Sequence, residues 1–315
     1  MSDAERLLSG ARRPLVVGIG GGGDVVGALA TAEACRIYHG AEPVIGGVSW
    51  ERRVIDPAPG PRATAEIEGV RELAPGVLAA SGDARVAASG VRFAEGRVAE
   101  LLGEETVLVD VTRAPAELAE GLRAAGNELG CDLFVFVDVG GDALARGEEP
   151  GLASPLCDAV MLAAGTLLQE ERDALGGVFG IGCDGELRPA EVLERLSEVA
   201  AAGGLSGARG LTPPVVERLE RAVEAVPTEA SAQALRCFRG DRGTVEIRGG
   251  RRTVELSPVG AMTVYFDPAV ALRSAARLAA AVLDAGGLED ANDRLHELGV
   301  STELDYERAH ADEAV

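Results

Sequence analysis

Lysine is absent from this chain of 315 residues, and all thirty of its basic residues are arginines. The absence excludes a Schiff-base lysine, a lysine general base and the lysine of a Walker-type phosphate loop. Histidine occurs only at His39, His296 and His310, which disfavours a Ser-His-Asp or Cys-His catalytic group and a multi-histidine metal site. Acid–base chemistry would therefore have to use carboxylates, tyrosine, cysteine or metal-bound water.

Cysteines, aromatic residues and long apolar runs are also scarce. The five cysteines are scattered without a C-x-x-C pair, which is typical of a protein in a reducing cytosol. Aromatic residues make up only 3% of the chain, so its core must consist mostly of Val, Leu, Ile and Ala. No run of about 20 apolar residues is present, and the first residues lack the apolar segment of a signal peptide. We therefore expect a cytoplasmic protein.

The formal net charge is −21. Nucleic acids and anionic membranes are bound through basic surfaces, so neither is expected as the main partner. We expect a small-molecule ligand instead. A homo-oligomer is also open, because the apolar helix faces near residues 268–285 could pair between two copies of the chain.

Apolar strand-like runs alternate with amphipathic helical stretches along most of the chain. Nearly continuous apolar runs between helices predict parallel strands that are covered on both faces. The predicted class is α/β, with a doubly wound, mostly parallel Rossmann-like sheet. The main strands are expected at 14–20, 42–49, 106–112, 132–142, 177–185 and 261–267.

A smaller unit interrupts this pattern. Residues 204–260 contain two helical stretches and then a β-hairpin that is predicted to turn at Gly249-Gly250. We interpret them as a small inserted helix–helix–hairpin subdomain that could overhang the ligand site. The Rossmann-like domain would then comprise residues 1–203 and 261–315.

Three other segments carry simpler expectations. The stretch 56–70, rich in Pro and Gly, is expected to be a loop. The region 71–104 has no clear pattern until its last residues, which predict a helix. Asp267 is the expected N-cap of a long helix that runs to about residue 287.

The turn after the first strand is rich in glycine. The residues "GIGGGGD" at 18–24 satisfy the G-x-G-x-x-G pattern between a strand and a helix. Backbone amides and the helix N-terminus could hold a phosphate there, at Gly20, Gly21, Gly22 and Gly23. A dinucleotide site also needs an acid at the end of the second strand, and neither Glu42 nor Glu51 is well placed for that role. NAD(P) is therefore disfavoured, while a nucleotide or another phosphorylated ligand stays open.

Acidic residues follow glycines or strands at three predicted turns. The motifs "GGGGD", "VDVGGD" and "GCDGE" contain Asp24, Asp138, Asp142 and Asp184, which a doubly wound sheet would bring to one edge. Clustered carboxylates repel one another unless a cation lies among them, and Mg²⁺ or Mn²⁺ would suit such oxygen ligands. We expect Asp142 and Asp184 to bind the metal, and these two together with Asp138 to carry the catalysis. The alternative is that each aspartate is a helix cap or a turn residue, with Asp24 capping the first helix.

Further ligand contacts are expected at the same edge. Trp50 could stack on a base or sugar, with Glu51 and Arg52 supplying polar contacts; the alternative is that Trp50 anchors the packing. Ser154 predicts the N-cap of a helix whose start could also hold a phosphate. The glycines of the second acidic turn complete the expected ligand-binding set, at Gly140 and Gly141.

These motifs resemble the domain of unknown function 1152 family of archaea and some bacteria. The resemblance is carried by "GIGGGGDVVGA", "SWERRVIDPAPGPR", "FVDVGGDALA", "SPLCDAVMLA" and "STELDY", and it extends over nearly the whole chain. It implies a Rossmann-like domain and no reaction that can be named. In short motifs alone, the glycine–acid turns are also similar to the metal-dependent D-glutamate cyclase type of lyase.

The leading hypothesis is an enzyme that acts on a small polar metabolite, phosphorylated or nucleotide-like, with carboxylate and divalent-metal chemistry. A lyase, a cyclase, a hydrolase and a group-transfer enzyme are all compatible with these residues. The first alternative is a non-catalytic sensor of a nucleotide or phosphometabolite. The second alternative is an NAD(P)-dependent oxidoreductase, which the extra glycines and Asp24 disfavour.

Overall fold

The computed structural model describes residues 3–312. The strands are β1 (Pro14–Gly18), β2 (Val44–Val48), β3 (Ile67–Ala74), β4 (Val77–Val86), β5 (Thr106–Val109), β6 (Leu133–Val139), β7 (Ala174–Phe179), β8 (Leu205–Gly210), β9 (Gly243–Ile247), β10 (Arg252–Leu256) and β11 (Met262–Phe266). The helices are α1 (Ala4–Gly10), α2 (Asp24–His39), α3 (Ala94–Leu102), α4 (Pro115–Leu129), α5 (Pro155–Leu168), α6 (Pro189–Ala201), α7 (Pro213–Ala225), α8 (Glu229–Phe238), α9 (Pro268–Ser274), α10 (Arg277–Ala281), α11 (Leu288–Glu297) and α12 (Glu303–Ala309).

A nine-stranded sheet forms the centre of the fold, in the order β3-β4-β5-β2-β1-β6-β7-β11-β8. Its five middle strands, β5 to β7 in this order, are parallel, with Val16 of β1 beside Ile45 of β2 and Val135 of β6. These strands are buried along their whole length because helices cover both faces of the sheet. The predicted α/β class with a doubly wound, Rossmann-like sheet is confirmed.

The two ends of the sheet are antiparallel. The hairpin β3–β4 continues the sheet from β5, and β11 and β8 continue it beyond β7. The expectation of a loop over all of 56–70 is therefore wrong at its end, because β3 begins at Ile67. The apolar pattern that predicts a strand is weak here because β3 is an edge strand whose middle residues, such as Glu68 and Arg71, are largely exposed.

The predicted insertion, 204–260, begins with a strand of the central sheet. Residues 205–210 form β8, which pairs with β11, so only the residues from α7 to β10 lie outside the sheet. The hairpin β9–β10 pairs Glu246 with Thr253, and its turn contains the predicted Gly249 and Gly250. The helix pair and hairpin thus have the order that the sequence predicts.

The predicted long helix after Asp267 is divided into α9 and α10. Asp267 caps the first of these, since its side chain accepts a hydrogen bond from the Val270 amide at 3.1 Å. The helix ends at Ser274, because Ala276 leaves the helical conformation with ψ of 69°. The apolar faces of both helices are buried within the chain, where α9 and α10 pack against α5. They therefore do not offer the surface on which the expectation of a homo-oligomer was based.

The order of the strands creates a crevice between β1 and β6. The chain leaves β1 towards β2 on one side, while β6 and β7 lie on the other side, so the winding of the sheet reverses at this point. Open α/β sheets bind ligands outside the carboxyl ends of their strands at such a switch point. The turns that follow β1, β6 and β7 all end at this edge.

Candidate functional site

Two groups of three carboxylates lie at the switch point. Asp24, Asp138 and Asp158 form the first triad, in which one carboxylate oxygen of each residue lies within 4.8 Å of the others; the same distance applies to the second triad. The second triad consists of Asp142, Asp184 and Glu186. All six side chains are buried. The four aspartates that the sequence placed at one edge therefore do converge there, together with Asp158 and Glu186.

Asp24 joins the first two turns of the site. It is the first residue of α2, and its Oδ2 accepts hydrogen bonds from the amides of Gly20, at 3.0 Å, and Val139, at 3.3 Å. The N-cap position belongs to Gly23, so the alternative interpretation of Asp24 as a helix cap is wrong. The carboxylate instead ties the glycine turn after β1 to the end of β6.

Asp138 and Asp158 reach the same point from a strand and a helix. Asp138, near the end of β6, accepts hydrogen bonds from the amides of Gly141 and Ala143, at 3.3 and 3.1 Å. Asp158 projects from the first turn of α5, and its buried Oδ1 has no hydrogen-bond partner within residues 3–312. A Cβ on Gly20 would lie 2.6 Å from Asp24 Oδ2 and 2.9 Å from Asp158 Oδ2. Glycine at position 20 therefore permits the two carboxylates to approach each other.

The second triad is built from the turns after β6 and β7. Asp142 starts a short 3₁₀ turn, and Asp184 and Glu186 follow β7. Asp184 Oδ1 is buried without a hydrogen-bond partner in the described part of the chain. A Cβ on Gly140 would lie 2.2 Å from this oxygen, and Gly140 has φ of 128°, so glycine is required there for both reasons.

Glu186 is the best anchored member of the second triad. It accepts hydrogen bonds from the Ala153 and Ser154 amides, both at 2.8 Å, from the Ser154 hydroxyl, and from Arg252 Nη1 at 2.7 Å. Burial opposes its ionisation, but Arg252 and the Ser154 hydroxyl outweigh burial and lower the pKa of Glu186. Glu186 is therefore a fixed negative charge at the edge of the triad.

The other carboxylates are held in an unfavourable electrostatic environment. Burial raises the pKa of Asp24 to about 6, with Arg52 limiting the rise, and burial together with the charge of Glu186 raises the pKa of Asp184 to about 7. Burial and mutual repulsion raise the pKa values of three more carboxyl groups well above their ordinary range, at Asp138, Asp142 and Asp158. These groups need a proton or a cation to be stable where they lie.

Three arginines face the carboxylates. Arg52, which the sequence predicted at this edge, donates from Nη2 to the Gly20 carbonyl at 2.9 Å, and its stem lies against Gly22. Arg252 pairs with Glu186, and Arg248 lies in the electrostatic field of Asp184 and Glu186. The cluster therefore contains fixed positive charges as well as acids.

The start of α5 is already bound to a carboxylate. The amides of Leu156 and Cys157 donate to the side chain of Glu303, at 3.0 and 2.9 Å, where the sequence analysis expected a phosphate beside Ser154. Ser154 occupies the N-cap position without capping the helix, because its hydroxyl donates to Glu186. Burial raises the pKa of Glu303 to about 7 in spite of these hydrogen bonds.

The first glycine turn is also partly occupied by the protein itself. The Gly20 amide donates to Asp24, and the Gly22 amide donates to the carbonyl of Trp50 at 2.7 Å. A Cβ on Gly21 would lie 2.8 Å from the same carbonyl, and one on Gly23 would lie 2.3 Å from the Cβ of Thr228. The turn is thus closed by the loop after β2 and by the residue that precedes α8.

Trp50 and Glu51 lie next to the site in packing roles. Trp50 is only 3% exposed, and its indole N–H donates to the carboxylate of Glu307 at 3.1 Å, as the packing alternative expected. Glu51 accepts a hydrogen bond from the Ala94 amide at the start of α3, and burial raises its pKa to about 7. Its neighbour Glu95 is buried as well, with an unpartnered Oε2 among the described side chains. Neither Trp50 nor Glu51 belongs to the two triads.

The inserted residues cover the site. Thr228 packs on Gly23, and Gly185 lets the backbone of β10 approach closely, since a Cβ there would lie 2.9 Å from the Thr253 carbonyl oxygen. The backbone amide of Arg248, in the hairpin turn, donates to Glu229 at the start of α8. A cavity of about 520 Å³ lies elsewhere, lined by Pro59, Gly60, Pro61, Thr112, Gly286, Gly287, Leu288, Glu289, Asp290, Leu304 and Arg308.

Sequence reasoning missed several members of this cluster. Asp158 lies in the first turn of α5, and only its place at the start of a helix on the ligand edge could have singled it out. Glu303 lies in the motif "STELDY", which resembles the family but has no local ligand pattern. Arg248 and Arg252 are two of the three arginines at the hairpin turn, so only the packing of that hairpin on the turn after β7 shows which of them face the acids.

The fold and the site define an α/β protein with a doubly wound sheet and a carboxylate-lined switch point. The chain belongs to a family of proteins of unknown function, the domain of unknown function 1152 family, whose family model matches residues 15–311. Searches of the curated proteins and of the solved structures found no match. Between residues 3 and 312, no helix combines the length and the apolar character needed to cross a membrane.

Proposed function

We propose that the protein is an enzyme that uses two divalent cations, Mg²⁺ or Mn²⁺, to act on a small polar metabolite that is phosphorylated or nucleotide-like. The observation that carries the proposal is the pair of buried triads, each with a carboxylate oxygen that lacks a hydrogen-bond partner within the described residues, Asp158 Oδ1 and Asp184 Oδ1. A buried carboxylate oxygen without a partner is costly in the folded protein. A cation in each triad would remove that cost.

The charge of the cluster supports the same proposal. Three guanidinium groups, those of Arg52, Arg248 and Arg252, face seven carboxylates, those of Asp24, Asp138, Asp142, Asp158, Asp184, Glu186 and Glu303. When all of these groups are ionised, the acids exceed the guanidinium groups, and two divalent cations would offset the surplus. The triads offer oxygen atoms only, which suits the hard cations Mg²⁺ and Mn²⁺.

Bound cations would supply Lewis-acid activation of the substrate and would lower the pKa of a water molecule. The residues of the chain would orient the ligand and exclude water, since the inserted residues cover the carboxylates. Asp142 is the best candidate for a general base, because its carboxylate accepts no hydrogen bond from residues 3–312 while it faces four other acids. Lyase, cyclase, hydrolase and group-transfer reactions all fit this arrangement.

Two other functions were open on sequence grounds. The closed glycine turn gives an NAD(P) pyrophosphate little room, which argues against an oxidoreductase. One observation favours a sensor. The triads are buried beneath the inserted residues, and a buried site would release a bound ligand slowly. The enzyme stays the first proposal because the raised pKa values provide groups that can exchange protons near neutral pH.

The metal sites are tested by counting bound ions in native mass spectra of protein loaded with Mn²⁺. We expect two ions in the wild type, and one in each of the variants Asp158→Asn and Asp184→Asn. The matched control is Asp110→Asn, since Asp110 is buried and bound to Thr64 and Thr112 away from the triads. A wild-type protein that binds neither Mn²⁺ nor Mg²⁺ at millimolar concentration contradicts the proposal.

Catalysis is tested separately on the Mn²⁺-loaded protein. Nucleotides, sugar phosphates and pyrophosphate are incubated with it, and the products are identified by mass spectrometry, together with any molecule that co-purifies with the chain. Turnover that disappears in Asp184→Asn supports the enzyme. A ligand that binds tightly and is recovered intact after long incubation supports the sensor instead.

A further inference from the structure

The turn of the hairpin β9–β10 holds an arginine in an unusual backbone conformation. Arg248 has φ of 53°, and it is the only residue other than glycine with a positive φ in the part of the chain that the structure describes. Its amide donates to both carboxylate oxygens of Glu229, at 3.1 and 2.9 Å, and its carbonyl accepts from Arg251 Nε at 3.1 Å. The turn is therefore fixed in a conformation that costs an L-residue free energy, a kind of strain that concentrates at ligand clamps.

The turn that holds Arg248 lies close to Arg52. The Arg248 amide binds Glu229, the preceding residue Thr228 packs on Gly23, and the stem of Arg52 lies against Gly22. Burial, and then the charges of Arg52 and Arg252, lower the pKa of Arg248 to about 10. The guanidinium group of Arg248 makes neither a hydrogen bond nor an ion pair with residues 3–312. Three guanidinium groups therefore lie near one another, and that of Arg248 has no partner within residues 3–312. The unpaired guanidinium group is available to bind an anion.

The other two arginines are already fixed by contacts with the protein. Arg52 donates to the Gly20 carbonyl, and Arg252 donates to Glu186 and, at 3.4 Å, to the Asp184 carbonyl. These contacts place both guanidinium groups at the border of the triads. A ligand that met all three arginines would also lie next to the carboxylates that we assign to the cations.

We propose that Arg248, together with Arg52 and Arg252, forms the binding site for a phosphate group of the ligand, an inference that rests on the proposed function. Guanidinium groups match the oxygen atoms of a phosphate with paired hydrogen bonds, and cations in the triads would hold the remaining oxygens. Because Arg248 belongs to the covering hairpin, binding of the phosphate would also hold the hairpin over the site. The ligand class is thus a compound with a terminal phosphate or diphosphate group.

The test measures binding of inorganic phosphate and pyrophosphate to the Mn²⁺-loaded protein by calorimetry. We expect Arg248→Ala to weaken binding of both anions by about 10-fold to 100-fold, the range for a lost hydrogen bond to a charged group. The matched control is Arg242→Ala at the other end of the same hairpin, because Arg242 is exposed and its side chain makes no hydrogen bond or ion pair with residues 3–312. It should bind both anions as the wild type does.

A second variant separates binding from backbone strain. Glycine adopts a positive φ without strain, so Arg248→Gly should be at least as stable as Arg248→Ala and should lose the same anion affinity. Equal anion binding by Arg248→Ala and the wild type overturns the inference, as does an equal loss in Arg242→Ala. A wild type that binds Mn²⁺ but neither anion contradicts this inference alone, whereas a wild type that binds no Mn²⁺ contradicts the proposed function.

Discussion

Replacing Asp184 by asparagine should stabilise the metal-free protein and weaken the metal-loaded protein. The Asp184 side chain is buried, and its Oδ1 has no hydrogen-bond partner among the described residues. Burial, and then the charge of Glu186, raises its pKa from 3.8 to about 7. Asparagine has nearly the same shape without the charge, so the substitution removes the cost of ionising this buried group.

The sign and the size of the effect follow from proton linkage. The folded protein retains a proton on Asp184 over a pH range in which the unfolded chain has released it, so wild-type stability falls as pH rises from about 4 to about 7. A shift of about three pKa units corresponds to on the order of 4 kcal/mol, which is the upper limit of the gain at pH 8. Near pH 4, where the carboxyl group is protonated in the fold, the two proteins should be almost equally stable.

The assay is urea denaturation followed by circular dichroism, with EDTA at pH 4 and pH 8, and again with Mn²⁺ at pH 8. Mn²⁺ at more than 1,000 times its Kd should reverse the order of stability, since a ligand at 1,000 times its Kd adds about 4.1 kcal/mol to a protein that can bind it, which matches the upper limit of the gain. Lower stability of Asp184→Asn than of the wild type in EDTA at pH 8 would refute the reasoning, because Asp184 would then be stabilised by partners of its own.

Three further results are expected. Glu51→Gln should be more stable than the wild type above pH 7, by up to about 3 kcal/mol, and equally stable near pH 4.5. The reason is that burial raises the pKa of Glu51 from 4.5 to about 7, and urea denaturation measures the difference. Gly20→Ala should lose Mn²⁺ affinity and about 1–3 kcal/mol of stability, because the added methyl group would displace Asp158; calorimetry measures the affinity. Cys183 and Cys237 should form the first disulfide when the protein is treated with oxidised glutathione, and mass spectrometry detects that disulfide. The two sulfur atoms lie close together, since a Cβ on Gly260 would lie within 3 Å of both.

Each of these results has a control. Gly10→Ala introduces a methyl group with no neighbour within 4 Å, and should leave both stability and Mn²⁺ affinity nearly unchanged. For the oxidation, the other buried thiols serve, so a first disulfide that includes Cys35 or Cys131 contradicts the expected pairing. A stability difference for Glu51→Gln that does not change between pH 4.5 and pH 8 would show that its origin is packing and not charge.

The sequence predicted best those elements whose ends have local signals. The helix predicted after the first glycine turn is α2, which begins right after that turn and ends at His39, because Gly40 adopts the left-handed conformation that ends a helix. The strand β8 and the hairpin β3–β4 are recognisable as strands only through their pairing with distant parts of the chain. Pairing of that kind leaves little trace in the local pattern of apolar residues.

The candidate site shows the same division. Asp24, Asp138, Asp142 and Asp184 could be predicted because each lies at the end of a strand or in the turn that follows it, at a known edge of a doubly wound sheet. Their arrangement as two triads could not, because it depends on which face of the sheet each helix covers. Asp158 completes the first triad from α5, on the face opposite to α2, and no local pattern in the sequence relates those two helices.

The absence of lysine determines how such a site can respond to pH. A lysine in this cluster could lose its proton as its pKa fell, whereas arginine keeps its charge, and even the lowered pKa of Arg248 stays near 10. The charge of the guanidinium groups in the site is therefore constant between pH 5 and pH 9. Within the site, protons bind and dissociate in this range at the carboxyl groups, as the pKa values of Asp24 and Asp184 indicate. Cations and protons must then compete for the same oxygens, so Mn²⁺ affinity should fall with pH below about 7 while the arginines keep their attraction for an anion.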